Sequence, residues 1–288
     1  MHTFWALLSD TFDEWIKDKA PRLGAALSYY AAFSIAPLFV LLVAFVGFFL
    51  KGDTLSQVQT QIAELAGDNA ADAIVAIIRG VKSSPGGGAA TAVSVITLII
   101  GATGMFGQLQ DAMNTIWKVP PKPRGFWVDI LRTRALSFAL VLGIAVLLLG
   151  SLFLSTFLAA ASRYSQQIYP MTGPIWPFVD FGVSFIITTT LFAMIFKILP
   201  DVGIAWRDVW LGAALTSALF AVGKIGLGFY LGRSSFTSAY GAAGSFLVLL
   251  AWVYYSSQIL FFGAEFTHVY SNWAARKSFT DVTLRRTG

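Results

Sequence analysis

Ionisable side chains inside long apolar runs are where this chain could do chemistry, because each costs roughly 2.5–3.5 kcal/mol to insert into hydrocarbon. Lys224 is the clearest, seven residues before the end of the run Val209–Leu231. At about 1.5 Å of rise per residue it would lie roughly 10 Å deep. Asp180 stands three residues past Pro177 in the run Pro177–Phe196, and so roughly 5 Å deep by the same rise. Together the two could form an intramembrane polar site, open to a headgroup or an ion. The competing reading is a lysine that only snorkels toward headgroups. Glu265 has the opposite placement, at the inner end of the run Phe246–Phe266 beside Gly263 and Ala264. Asp111, Asn114, Lys197, Asp201, Arg207 and Glu265 are expected at one depth, as a polar network knitting the inner ends of several helices. An inner gate or a proton-coupling site is the sharper alternative. Asp111 and Asn114, three apart, would share a helix face.

Other chemistries are excluded by what the chain lacks. With no cysteine there is no disulfide, iron–sulfur ligand or thiol nucleophile, and two histidines, His2 and His268, leave little for a metal. The carboxylates are scattered, with neither a metal-binding cluster nor a nucleophile–base pair, and no Walker A or dinucleotide-binding glycine pattern is present. We therefore expect no enzyme, no catalytic residue, no cofactor and no metal. The net charge of +5 reads as membrane orientation, and no nucleic acid is expected as a partner.

The elements that must position these residues are membrane spans. Of the 288 residues 56% are hydrophobic and 12% charged, against about 25% charged in an ordinary soluble domain. The mean hydropathy is +0.69. Six runs are long enough to cross a hydrocarbon core: Ala25–Leu50, Ala89–Phe106, Ala135–Ala161, Pro177–Phe196, Val209–Leu231 and Phe246–Phe266. This predicts an all-α polytopic membrane protein, a six-helix transmembrane bundle forming a single integral membrane domain over residues 1–288.

Short amphipathic helices decorate that bundle. The acidic N-terminal segment does not read as a cleaved signal. It places Phe4, Leu8, Phe12, Trp15 and Ile16 near one helix face, as a helix lying in the membrane interface or one packed on the bundle's end. Residues 51–88 predict two more helices in an external cap, closed by Ser83–Gly88. Fourteen of the 20 lysines and arginines fall on the side that holds both termini, which places the termini in the cytoplasm. Eight of the nine tryptophans flank the runs as an aromatic belt. Glycines 101, 104, 107, 223, 226, 228 and 232, with the stripe Ala213, Ser217 and Ala221, predict close helix packing. Pro37 predicts a kink, Tyr240–Ser245 a re-entrant turn, and Ser28, Ser34 and Thr188–Thr190 supply hydroxyls for freed carbonyls or a polar path.

An ordered set of fragments resembles the YihY/virulence factor BrkB family. The set comprises Ala26–Tyr30, Phe33–Pro37, Asp111–Trp117, Leu199–Val202, Trp206–Val209 with Gly212-Ala213, Tyr240–Ser245 and Gly263–Glu265, from the first run to the last. The resemblance implies a six-span protein of the bacterial inner membrane. Some members carry a ribonuclease label, to which the scattered carboxylates here give no support. The expected function is transport or handling of an amphiphilic, lipid-linked or anionic substrate, with membrane lipids as partners. The alternative is a scaffold whose cap, or whose basic segment 118–134, meets an envelope protein.

Overall fold

The computed structural model describes residues 2–49, 87–120, 174–233 and 242–287, with scattered helical positions between 142 and 165. Every regular element among them is helical. In chain order these are α1 (His2–Lys17), α2 (Ala20–Phe49), α3 (Gly87–Ile116), α4 (Trp176–Ile198), α5 (Trp206–Arg233) and α6 (Ala242–Thr287). Four of the six expected runs lie within α3 to α6, and the first, Ala25–Leu50, lies within α2 up to Phe49, Leu50 being outside the described residues. The third, Ala135–Ala161, is described only at scattered helical positions, and the cap lies outside the described residues except for its last two, which open α3. The helical assignment continues through Pro37, and Ala242–Ser245 are already helical where a re-entrant turn was expected.

Two compact units make up the chain, one from residues 1–28 with 106–288, the other Tyr29–Met105. In the smaller unit α3 lies close against α2. A Cβ on Gly101 would stand 2.8 Å from Ser34 Oγ, and one on Gly104 2.6 Å from the Tyr30 ring. The Ser34 hydroxyl donates back to Tyr30 O at 3.2 Å, so it adds no unmet polar group to that contact.

In the larger unit α5 packs between α4 and α6, and α1 rests on α6. The tightest approach is the crossing of α5 and α6, and it is reciprocal. A Cβ on Gly212 would overlap the Thr267 hydroxyl, and a Cβ on Gly263 would overlap the Thr216 hydroxyl. Each threonine sits four residues after its own helix's glycine and donates to that glycine's carbonyl, Thr216 at 2.6 Å and Thr267 at 2.7 Å. Backbone proximity of this kind is what drives helices together in lipid, where apolar burial offers little. The expected stripe is part of the same face, since Ala213 and Ser217 are buried beside it. Gly223 receives the Tyr255 ring, whereas Gly107 and Gly226 have no neighbour within 4 Å.

Burial is concentrated at one end of this unit. Met113 and Ile116 of α3, Phe196 of α4, Val209 of α5 and Phe261 of α6 are fully buried there. Away from that end large apolar side chains face outward, Phe178 at 78% and Ile225 at 74% exposure among them. A water-soluble protein hides such surface, and a membrane protein presents it to lipid. Among the described residues, Trp176–Ile198 and Trp206–Gly226 are long and apolar enough to cross a bilayer.

Helix α1 has three faces. Leu7 and Thr11 are buried on the side toward the bundle, Asp10 and Lys17 are exposed on a polar side, and Phe4, Trp5, Phe12 and Ile16 form an exposed apolar side, Trp5 at 70%. Packing on the bundle therefore leaves a second apolar face uncovered. α6 is 46 residues long, about 69 Å by its rise. It runs some twenty residues past Phe266 and carries His268, Asn272, Trp273 and Arg276 beyond the expected span.

The α5–α6 crossing gives a testable expectation. Gly212→Ala should destabilise the protein by about 1–3 kcal/mol, because the added methyl meets Thr267 and the Gly263 carbonyl at 3.2 Å. Pairing it with Thr267→Ala should recover part of the loss, and Gly226→Ala, in open space, should cost nothing. Thermal melting in detergent reads all three; equal effects at Gly212 and Gly226 would refute the crossing.

Candidate functional site

A groove of about 390 Å³ lies between α4 and α5. Helix α4 lines it with Phe181, Ser184, Phe185 and Thr188, at the spacing of one helix face. From α5 come Ser217, Phe220, Ala221, Lys224 and Ile225, again a single face. Phe220 is braced edge-on by Phe192 at 5.8 Å and by Trp252 at 6.0 Å, which fixes the groove's wall. The walls are mainly apolar, with one ammonium and three hydroxyls among them.

Those hydroxyls are not alike. Thr188 donates to Ser184 O at 2.8 Å, and Thr189 and Thr190 make the same backward bond to Phe185 and Ile186. The Ser217 hydroxyl, buried at the groove's wall, has no hydrogen-bond partner among the described residues. Such a group costs about 1–3 kcal/mol unless something bonds it. Asp180 is exposed but does not line the groove, and among the described residues no ion pair joins it to Lys224. The reason is angular, since Asp180 lies about 90° round α4 from the centre of the lining face at 100° per residue.

The expected network of six polar residues divides. Asn114 holds Asp201 twice, accepting from its backbone N–H at 2.8 Å and donating to its carboxylate at 3.3 Å, with Gln110 donating at 3.5 Å. This ties the end of α3 to the turn after α4. Lys197 donates to the carbonyl of Ile204 and lies over the Trp206 ring, closing the same turn. Asp111 is exposed on the outer face of α3, where its carbonyl accepts from Thr115, and Arg207 is exposed in the first turn of α5. Glu265 belongs elsewhere. It is fully buried and faces Asp18, Glu14 and Lys118, groups from α1, its C-terminal turn and the turn after α3.

That second cluster is built on two left-handed lysines. Lys118 (φ 51°) ends α3 with paired bonds, Lys118 N–H to Thr115 O and Val119 N–H to Asn114 O. Lys19 (φ 55°) turns the chain between α1 and α2. A side chain in this conformation costs about 1–2 kcal/mol. At Lys118 the return is visible: its ammonium bridges Asp18 and, at 3.1 Å, Glu14, while Lys17 holds Glu14 at 2.9 Å. Hydrogen bonds from Lys17 and then Lys118 keep Glu14 below its ordinary 4.5. Burial pulls Lys118 down, but Asp18 and Glu14 outweigh it and leave the amine above its ordinary 10.5. Burial, then the nearby Lys118 charge, holds His268 below 6.5. A cavity of about 610 Å³, lined in part by Glu14, Lys118, His268 and Asn272, opens beside the cluster.

Asp18, Glu14 and Lys118 were missed as a site in the sequence. A signal was there, because Leu7, Thr11, Glu14 and Asp18 recur at the four–three–four spacing of a packing face. Charge at two of those four positions disguised it.

Apolar rods with outward-facing phenylalanine and isoleucine, packed through glycine and threonine, define a helical membrane protein. The chain belongs to the virulence factor BrkB family, whose profile matches residues 11–283. Similar proteins include a UPF0761 membrane protein of Alkalilimnicola ehrlichii, 26% identical over 268 residues, covering 91% of this chain and 57% of the relative. Another, from Pseudoalteromonas atlantica, is 27% identical over 266 residues, 89% of this chain and 84% of the relative. A third, from Chromobacterium violaceum, is 29% identical over 186 residues, 64% of this chain and 42% of the relative. The chain thus spans only about half the length of several curated relatives it matches. No solved structure matches it significantly.

Acid should remove two contributions to the stability of the α1 end, one after the other. His268 is held below 6.5 in its neutral form, so its contribution is whole above that value and falls away as pH drops below it. Glu14 is held below 4.5, so its contribution is lost later, as pH falls through its lowered value. Amide exchange of residues 2–17 against pH measures this; protection that stays flat down to about pH 3 would contradict it.

Proposed function

We propose that this protein moves or handles an amphiphile with an anionic headgroup, and that the α4–α5 groove is where it binds. The observation that carries the reading is Lys224 in the mainly apolar groove shared with the unpartnered Ser217 hydroxyl. Phe181, Phe185, Phe220 and Ile225 suit an acyl or prenyl chain, Lys224 suits a phosphate or carboxylate, and Ser217 supplies a donor to the headgroup. Glycerophospholipids and lipid-linked anionic precursors share this chemistry.

The proposal is of a carrier, without a catalytic step. It keeps six spans in the bacterial inner membrane, with both termini in the cytoplasm and Lys224 in the outer half. Helix α1 would then lie in the cytoplasmic interface, with its Phe4, Trp5, Phe12 and Ile16 face in the headgroups and its Leu7–Thr11 face on α6.

Reconstituted protein should accelerate transbilayer movement of a fluorescent phosphatidylglycerol in liposomes. Lys224→Met should slow it about tenfold or more, the size of one lost bond to a charged group. Lys224→Arg should keep most of the rate, and Ser217→Ala should reduce it less than Lys224→Met. Unchanged rates in Lys224→Met at equal reconstitution would remove the groove from the function, and a specific crosslinked protein partner without lipid movement would replace the carrier by the scaffold.

A further inference from the structure

Glu265 is fully buried on α6, and among the described residues neither of its carboxyl oxygens finds a hydrogen-bond donor. Asp18, its side chain 10% exposed, stands within hydrogen-bonding reach. Ionised carboxylates only accept, so that contact has no donor until one of the two carries a proton. We propose that Asp18 and Glu265 form a carboxyl pair that binds one proton, and that this proton fastens the α1–α2 joint to α6.

The surrounding charges lead to the same place. The groups facing the pair are Glu14 from α1, Lys118 from the turn after α3, and His268 less than one turn further along α6. Lys17 and Lys118 answer Glu14, and Lys118 answers Asp18. His268 is kept neutral by burial, and Lys118, which also faces Glu265, is already engaged by Asp18 and Glu14. A second ionised carboxylate here would meet like charge at short range without water, which a shared proton relieves. Exchange with solvent has a route, because Glu14 and Lys118 face both Glu265 and the cavity of about 610 Å³. The proton belongs to the pair as a unit. The inference stands apart from the groove and survives if Lys224 proves inert.

Amide exchange of residues 2–23 in the full chain, held in nanodiscs between about pH 7 and 10, tests it, because one released proton makes local opening easier by up to about tenfold per pH unit. Lys118 keeps its charge over that range, since its amine lies above 10.5. The wild type should lose protection as pH rises. Glu265→Gln, whose amide always donates to Asp18, should abolish that alkaline limb and leave the acid limb of Glu14 and His268 intact. Asp18→Asn, whose amide can donate to an ionised Glu265, should weaken that limb, at lower overall protection because Lys118 loses an acceptor. An alkaline limb unchanged in both variants, or absent from the wild type, overturns the proposal. So does protection that depends on sodium at fixed pH, which would put a metal cation where the proton is assigned. Should Glu265→Gln fail to fold, Asp18→Asn alone decides.

Discussion

The crossing of α5 and α6 at Gly212 and Gly263 registers the packed end of the larger unit. Both glycines have lost the side chain that would hold the backbones apart, and both threonines fill the space that is left. Each threonine hydroxyl is already bonded to its own helix, so the contact buries two polar groups without leaving either unmet. Because successive residues turn by about 100°, Glu265 points roughly opposite to Gly263. The same crossing that brings α5 to one side of α6 therefore aims a carboxyl at α1 on the other.

Polar chemistry at this end is carried by turns as much as by helices. Asn114 reads both the backbone and the side chain of Asp201, which makes the turn after α4 an extension of α3. Lys118 follows four residues later, in a conformation glycine would adopt with less strain. Glycine there would keep the turn and lose the bridge to Asp18 and Glu14. That trade explains a strained lysine at a helix end; among the described residues no ion pair gives the Lys19 side chain a comparable role.

How much of this was legible in the sequence depended on the kind of signal. Helices in lipid must satisfy their own backbone, so long apolar runs announced α2 to α6 within a few residues of their starts, Trp176 against Pro177 and Trp206 against Val209. Membership of the family was readable because its fragments meet in space: Asn114 with Asp201, and Gly212 with the segment after Gly263. Position along a helix does not fix direction round it: Glu265, expected beside Asp201 and Lys197, faces Asp18, Glu14 and Lys118 instead. Asp180 lies on α4 beside the groove-lining residues in sequence and faces away from them, a difference of helical phase that composition cannot reveal. Nor did glycine content tell which glycines touch, since Gly223 receives a tyrosine and Gly226 faces open space.

Two lysines contrast a cation engaged by carboxylates with the one proposed to meet a ligand. Lys118 is ringed by Asp18 and Glu14, and its charge is consumed in joining α1 to the end of α3. Lys224 lies on an apolar wall where, among the described residues, no acidic residue lines its groove, and its polar neighbours are hydroxyls, that of Ser217 without a partner among those residues. An ammonium in hydrocarbon without a counter-charge is unfavourable by a few kcal/mol, and a snorkelling lysine escapes by reaching water. A snorkelling role accounts for the lysine alone and leaves the buried Ser217 hydroxyl without a reason. The proposed anionic headgroup would account for both, because it would supply an acceptor to each while its chain covered the phenylalanines beside them.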